Sequence, residues 1–310
     1  MESKKMEFVN SVFEQPWWLD IVAPNAWKEI LVEEEGEIIA RWPIVIKGNS
    51  VIMPEMTQTL GFWLSENKFN SDLYFNERKR ITNLLLEQLP QNKNINIRCD
   101  SKVDYFLPMH WKQFAISPCI SYRINDLTDV DAIFNRFNNI VKKNLRYSSK
   151  RVIVKSIDDI EILLMLLDKT FSIQNRKNPF SKDLIRNIYS ACKARNAGRL
   201  LYAIDKDGNI YSGVLSVYDK NVCYGLLGGT DPKYRSSGAH TLLLWEEIKF
   251  ASTVSKSFDF EGSMIEGIED YFRQFGGTPI VYYKIQKQNI ALELFELLKP
   301  RIKSLIGYKQ

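Results

Sequence analysis

The densest chemistry in the sequence lies between Tyr224 and Ile268. The run YGLLGGTDPKYRSSGAHTLLLWEEI starts as a β-rich segment, breaks at Gly228-Gly229, carries a cation at Arg235 and resumes as an apolar helix after Gly238. Backbone N–H groups at a helix N-terminus make an anion site when no bulky side chain stands in the way. Ser236, Ser237, Gly238 and Ala239 are small enough to let a pyrophosphate reach that backbone, and Arg235 adds a fixed charge. The same run also reads as a plain strand–turn–helix connection with serine caps. His240 falls in the first helical turn, where it is placed to touch a phosphate or to pack rather than to exchange protons.

A second run, SFDFEGSMIEGI, follows at Ser257. Strand alternation sends Phe258 and Phe260 to one face and Asp259 and Glu261 to the other. Two carboxylates at one strand end are candidates for proton handling, because burial or mutual repulsion raises a carboxyl pKa. The rival reading is structural: Asp259 accepts backbone hydrogen bonds in the loop and Glu261 faces water.

The elements that must hold these residues occur twice. Residues 26–53 read as a three-strand antiparallel meander with turns at Glu35-Gly36 and Lys47-Gly48-Asn49. Residues 199–228 read the same way, with turns at Asp207-Gly208 and Asp219-Lys220-Asn221. A gapless slide of 172 residues lays Gly36 on Gly208, Ile38 on Ile210, Val45 on Val217 and Asn49 on Asn221. Each meander leads to an amphipathic helix, Asp72–Leu89 and Ala239–Thr253, then to a short strand, Ile95–Cys99 and Ser257–Glu261. The tripeptide Asp-Tyr-Phe then recurs at Asp104 and Asp270, and a β-rich run closes each copy, Phe114–Ile124 and Pro279–Ile285. A repeat of this size implies two copies of one α/β (α+β) domain, residues 1–125 and 126–310. Between the meanders three helices are expected. The first runs through Phe134, Phe137, Ile140 and Val141 from a cap at Asp126 or Thr128; the second spans Ile157–Asn175 and the third Ser181–Ala197.

Composition narrows the class. Over 310 residues, 45% are hydrophobic and 25% charged, which is ordinary for a globular protein and excludes disorder or coiled coil. A net charge of +5 permits an anionic ligand without suggesting a nucleic-acid coat; no DNA partner is expected. Two histidines and four scattered cysteines argue against a metal site, and unpaired thiols fit a reducing, cytoplasmic setting in which they pack as buried apolar residues. No apolar run is long enough to span a bilayer, which leaves at most peripheral membrane association.

Taken together, the order meander, glycine loop, helix, strand, tripeptide helix and strand resembles the acetyltransferase fold of the GNAT superfamily. Arg235 and Gly238 match its pyrophosphate motif, while His240 occupies a position where that motif has a small residue. The twin copies, FDFEGS and Phe275-Gly276-Gly277 are similar to the FemAB-type branch, as is the basic segment NNIVKKNLRYSSKRVIV. The resemblance implies two tandem GNAT-like domains, each a mixed, mostly antiparallel sheet flanked by helices. It implies transfer of an acyl or aminoacyl group from acyl-CoA or aminoacyl-tRNA to an amine of a cell-envelope or polysaccharide precursor, with no permanently bound cofactor. The acceptor is then a small-molecule or lipid-linked sugar or peptide, and tRNA is the alternative donor partner. The long charged helical hairpin of the tRNA-using members has no counterpart here.

On that resemblance the second copy is the donor half. Gly228, Gly229, Arg235, Ser236, Ser237, Gly238, Ala239 and His240 would bind the donor. Glu261, then Asp259, are the candidate bases, and Tyr224 can protonate the leaving group, with Tyr271 as another candidate. The first copy has no small-residue phosphate loop and would serve the acceptor through Trp18, Thr57, Gln58 and Trp63, with Lys143 and Arg146 attracting phosphates. A catalytically degenerate scaffold of a surface-polysaccharide pathway is the other class that fits.

Overall fold

The computed structural model describes residues 8–65, 74–173, 175–262 and 264–289. Contacts divide the chain into unit 1, Met1–Pro118 with Tyr282–Gln310, and unit 2, Cys119–Val281. The division expected at residue 126 differs from this one mainly in that the final strand returns to unit 1.

In unit 1 a short helix, α1 (Pro16–Val22), precedes the meander β1 (Trp27–Glu34), β2 (Glu37–Lys47) and β3 (Ser50–Ile52). The turns fall where glycine allows a left-handed backbone, with φ of +80° at Gly36 and +56° at Gly48. A two-residue strand, β4 (Trp63–Leu64), pairs with β2. Helix α2 (Tyr74–Glu87) buries Ile81, Leu85 and Leu86 at helical spacing. Strand β5 (Asn94–Cys99) then lies parallel to β3, Val51 opposite Ile95. The expected helix start at Asp72 lies outside the described residues. A short helix, α3 (Leu107–Trp111), follows Asp104-Tyr105-Phe106 and leads into β6 (Ala115–Ile124).

Unit 2 begins within β6. The single helix expected next is two: α4 (Val130–Arg136) and α5 (Asn139–Ser148). The break comes from Phe137 and Asn138, both extended, with ψ of 140° and 153°. Asn138 receives the Ile140 N–H at 2.9 Å as a cap, while its own N–H donates to the Gln274 carbonyl at 2.9 Å. Phe137 is drawn instead against Trp245 and Phe275, with ring centroids 5.1 and 5.4 Å away. The cap of α4 is Asp129, which accepts from the Ala132 N–H at 2.8 Å, rather than Asp126 or Thr128. Strand β7 (Ile153–Ser156) precedes helices α6 (Ile160–Ser172) and α7 (Lys182–Ala194), the latter capped by Ser181 as expected. The second meander is β8 (Gly198–Ile204), β9 (Ile210–Tyr218) and β10 (Val222–Thr230). Helix α8 (Ala239–Val254), strand β11 (Ser257–Asp259), helix α9 (Glu266–Arg273) and strand β12 (Thr278–Lys287) complete it.

The two units share one plan. Each has an antiparallel meander, a helix, and a strand parallel to the meander's last: β5 beside β3, β11 beside β10. The strand after that is exchanged. β12, the last of the second copy, pairs antiparallel with β5 in unit 1, Tyr283 opposite Cys99; β6, the last of the first copy, pairs antiparallel with β11 in unit 2, Phe258 opposite Ile124. The Asp-Tyr-Phe tripeptides are not equivalent, since the first precedes α3 and the second lies inside α9.

Two adjacent glycines show how the sheet of unit 2 is covered. A Cβ on Gly228 would lie 2.4 Å from the His240 ring in α8, and one on Gly229 would lie 2.9 Å from the Leu166 backbone in α6. Neighbouring strand residues point to opposite faces, so α8 and α6 cover opposite faces of β10. Leu163, Leu166 and Leu167 of α6 and Leu243, Leu244, Ile248 and Ala251 of α8 fill the layers. Cys99, Cys192 and Cys223 are buried thiols and Cys119 is half-buried.

Among this apolar packing α8 carries Glu247, fully buried beside Ser216 and 3.9 Å from the Arg199 guanidinium. Burial pushes its pKa from 4.5 up to about 7. Over that interval the folded protein keeps a proton that the unfolded chain has lost. The stability this provides is complete below about pH 4.5 and is lost as pH rises through about 7. Glu247→Gln should therefore flatten the fall of the melting temperature between pH 5 and 8, removing a slope worth on the order of 3 kcal/mol. A variant with the wild-type slope, followed by calorimetry across that range, would contradict the assignment.

Candidate functional site

The site of unit 2 forms where two parallel strands part. β10 and β11 are in register over Val222–Tyr224 and Ser257–Asp259. Beyond that point β10 continues against β9 to Thr230, with an irregular register between Tyr224 and Leu227. The other chain turns away, the Phe260 N–H donating to the Tyr122 carbonyl of β6 at 3.0 Å. A cavity of about 950 Å³ opens in the wedge, and its described lining residues belong to unit 2.

Asp259 makes the turn. It is fully buried, and the Arg123 guanidinium meets it with two nitrogens at 2.9 Å each. Ser121 donates its hydroxyl to the same carboxylate, and the Glu261 N–H donates at 2.7 Å. The last contact holds Glu261 at φ +57°, a left-handed backbone that a glutamate rarely adopts. The expected alternation therefore ends at Asp259. Glu261 no longer shares a strand face with it and instead lines the cavity. Gly262 follows at φ +35°, packed so closely on Ser121 that a Cβ would lie 2.2 Å away.

At the other side of the cavity a 3₁₀ turn, Pro232–Ser237, delivers the chain to Gly238, whose φ of +73° starts α8. Gly238 packs on Asn144 of α5, where a Cβ would stand 2.9 Å from a backbone oxygen. Arg235, Ser236, Gly238, His240 and Gly228 all line the cavity. Ser237 is buried and receives the Ala239 N–H at 3.2 Å, and Gly229 faces α6.

His240 is held from behind. Its Nδ1 is 3.1 Å from the Ser212 hydroxyl, which itself donates to the Gly229 carbonyl at 2.8 Å. The Ser212 contact occupies Nδ1. Burial lowers the His240 pKa to about 4, so the ring is neutral at pH 7. Tyr271 of α9 lies over it, centroids 6.2 Å apart, and meets the Thr241 hydroxyl at 3.1 Å. Burial pushes the Tyr271 hydroxyl well above its ordinary pKa, which keeps it protonated.

Other expected residues are placed elsewhere. Tyr224 is buried and is not among the lining side chains. Lys143 and Arg146 are exposed on α5 and frame a separate hollow of about 390 Å³ with Tyr147, Lys150 and Arg151. In unit 1, Trp18 is fully enclosed, its indole N–H donating to the Thr57 hydroxyl at 3.1 Å, and Gln58 is also buried. Trp63 is half-buried against Phe8. Sequence reasoning missed the opposite wall of the cavity, where Phe171, Ile173 and Phe180 come from α6 and its connection to α7, and Ile265, Ile268 and Phe272 from α9 and its approach. The available signal was isoleucine among polar neighbours, as at Ile173 and Ile268. Among the described residues no group of three His, Cys, Asp or Glu is arranged to hold a metal ion, and no helix is long and apolar enough to cross a membrane.

The family model described as "Acetyltransferase (GNAT) domain" matches residues 135–273. Among solved structures the chain is similar to FemX, with a TM-score of 0.69 at 13% identity over 96% of this chain and 97% of that one. It is similar to the C-terminal domain of a candidate lysylphosphatidylglycerol synthetase from Agrobacterium fabrum, with a TM-score of 0.59 at 10% identity over 97% and 95%. L-PGS from Bacillus licheniformis gives a TM-score of 0.56 at 10% identity over 99% and 96%. At these identities the likeness is one of fold. No curated protein matches the sequence.

The Asp259 cluster makes a structural demand separable from chemistry. Asp259→Asn leaves Arg123 facing a neutral amide and should lower unfolding free energy by on the order of 3 kcal/mol. Urea unfolding measures this directly, and a loss below about 1 kcal/mol would mean that the ion pair does not hold the turn.

Proposed function

We propose, from the match of residues 135–273 to the acetyltransferase (GNAT) domain model and from the likeness in fold to FemX, that unit 2 is the donor half of an N-acyltransferase. It moves an acyl or aminoacyl group from a thioester or ester donor to an amine of a cell-envelope or polysaccharide precursor. The observation that carries the reading is the cavity at the parting of β10 and β11, with Glu261 at one side and the Arg235–Gly238 turn at the other.

The reaction has three requirements, and the wall of the cavity offers a group for each. A primary amine is mostly ammonium at pH 7, and Glu261 takes its proton. The free amine attacks the acyl carbon, forming a C–N bond, and the tetrahedral oxyanion is met by backbone donors of the Gly225–Gly228 stretch that lines the wedge. The bond from the acyl carbon to the donor's sulfur or oxygen then breaks; Tyr271 or solvent passes a proton to the leaving group and regains one from the nitrogen, which loses its second proton as the amide forms. Arg235 and the start of α8 hold the donor's phosphates. Neutral His240, with Nδ1 paired to Ser212, serves as a wall for the donor rather than a cation for it. Asp259, with both oxygens engaged by Arg123, Ser121 and the Glu261 N–H, is a positioning residue for Glu261. The resemblance to FemAB-type enzymes, and a lysylphosphatidylglycerol synthetase among the structural neighbours, favour an envelope acceptor.

Arg235→Ala should weaken donor affinity about tenfold or more, and Gly238→Asp should abolish binding by placing a charge and a strained side chain at the helix start. Unchanged donor affinity in both, measured by calorimetric titration, would remove the phosphate assignment and favour a non-catalytic scaffold. Glu261→Gln should reduce kcat by about 10²-fold or more and erase the ascending acid limb of the pH–rate profile, while leaving donor affinity intact. A wild-type profile would exclude Glu261 as the base.

A further inference from the structure

The missed wall of the cavity bears on what the donor carries. Among the described lining residues the charged side chains are Arg176, Arg235 and Glu261. Arg235 belongs to the phosphate end and Glu261 to the reacting centre. The remaining surface is largely aliphatic and aromatic. Phe171, Ile173 and Phe180 contribute from the α6–α7 side, and Ile265, Ile268 and Phe272 from the α9 side.

The isoleucines among them are open to solvent. Ile173 is 48% exposed, Ile265 61% and Ile268 42%, and the adjoining Met264 is 68% exposed. A group of large apolar side chains left in water at the mouth of a cavity marks a surface meant to be covered. The volume, about 950 Å³, lies at the upper end of small-molecule sites. An aminoacyl group would bring an ammonium into this region. Burying that charge requires a carboxylate partner, and Glu261, the one carboxylate on the described wall, is already assigned to the acceptor amine.

We infer that the group transferred is an apolar acyl chain of medium length, carried as a thioester on a phosphate-bearing carrier such as coenzyme A. The chain lies between the Phe171–Phe180 connection and α9. This rests on the acyltransferase reading of the same cavity and adds the class of donor. Glu261 takes one proton from the ammonium, the freed amine nitrogen bonds to the acyl carbon, the C–S bond breaks, and the second proton lost by that nitrogen goes to the departing thiolate, leaving the amide and the free thiol.

The experiment is a calorimetric titration of the whole chain with coenzyme A, acetyl-CoA, hexanoyl-CoA, octanoyl-CoA and an aminoacyl-tRNA. It is run on wild type, Ile268→Asp, Ile173→Asp and, as a control on an exposed apolar residue outside the cavity, Met165→Asp. Affinity should rise from acetyl to octanoyl, by at most about fourfold for each added methylene. Ile268→Asp and Ile173→Asp should remove that rise, and Met165→Asp should keep it. Melting temperatures within a few degrees of wild type show that the variants are folded. Equal affinity for coenzyme A and every chain length would overturn the apolar-chain assignment while leaving the donor site standing. Binding of the aminoacyl-tRNA alone would overturn the thioester donor but not acyl transfer. Binding of none of these would overturn both.

Discussion

The ion pair between Asp259 and Arg123 is the constraint on which the site depends. β11 is only three residues long and ends with that carboxylate. Because Arg123 grips it with two nitrogens, its remaining acceptor capacity is fixed in direction. The capacity is used by Ser121 and by the Glu261 N–H, and the second contact forces the chain out of the sheet. The parting of β10 and β11, the left-handed backbone at Glu261 and the tight seat of Gly262 on Ser121 all follow from one buried carboxylate satisfied on every side. A fully buried charge survives only when paired and hydrogen-bonded, and here the groups that satisfy it come from β6 and from the turn itself.

Much of the fold was legible because it rests on local signals. The turns at Gly36, Gly48 and Gly208 need positive φ, and glycine at those points announced both meanders. The Ser181 cap and the small residues before Ala239 marked helix starts correctly. The duplication itself appears as shared topology, with a strand parallel to the end of each meander. What was not legible depends on partners far away in sequence. Phe137 and Asn138 have ordinary helical neighbours, and only Trp245, Phe275 and the Gln274 carbonyl make a break there favourable. Glu261 sits in a run that alternates like a strand, and only Arg123, 136 positions away from Asp259, ends it.

The same division holds within the site. Gly228, Arg235, Gly238, His240 and Glu261 reach one cavity, and all of them carry a recognisable chemical type. The apolar wall does not, since isoleucine and phenylalanine look the same in a core as in a substrate channel. His240 shows the limit from the other side. Its type suggests proton transfer at neutral pH, but burial lowers its pKa to about 4, and Nδ1 is taken up by Ser212. Of the two tryptophans expected at an acceptor site in unit 1, Trp18 is fully enclosed and Trp63 is half-buried.

The exchanged strands impose an order on synthesis. β5 has β3 on one side, but its other partner is β12, and β12 is not made until unit 2 has been translated. At about 5–20 residues per second, the open side of β5 waits roughly ten to forty seconds on the ribosome. An unpaired strand side of that kind is a site for wrong pairing between nascent chains. β6 likewise emerges long before β11 can meet it. The first half of the gene therefore encodes a body that closes only when the second half is finished. Each of the two compact units thus includes a strand made in the other copy.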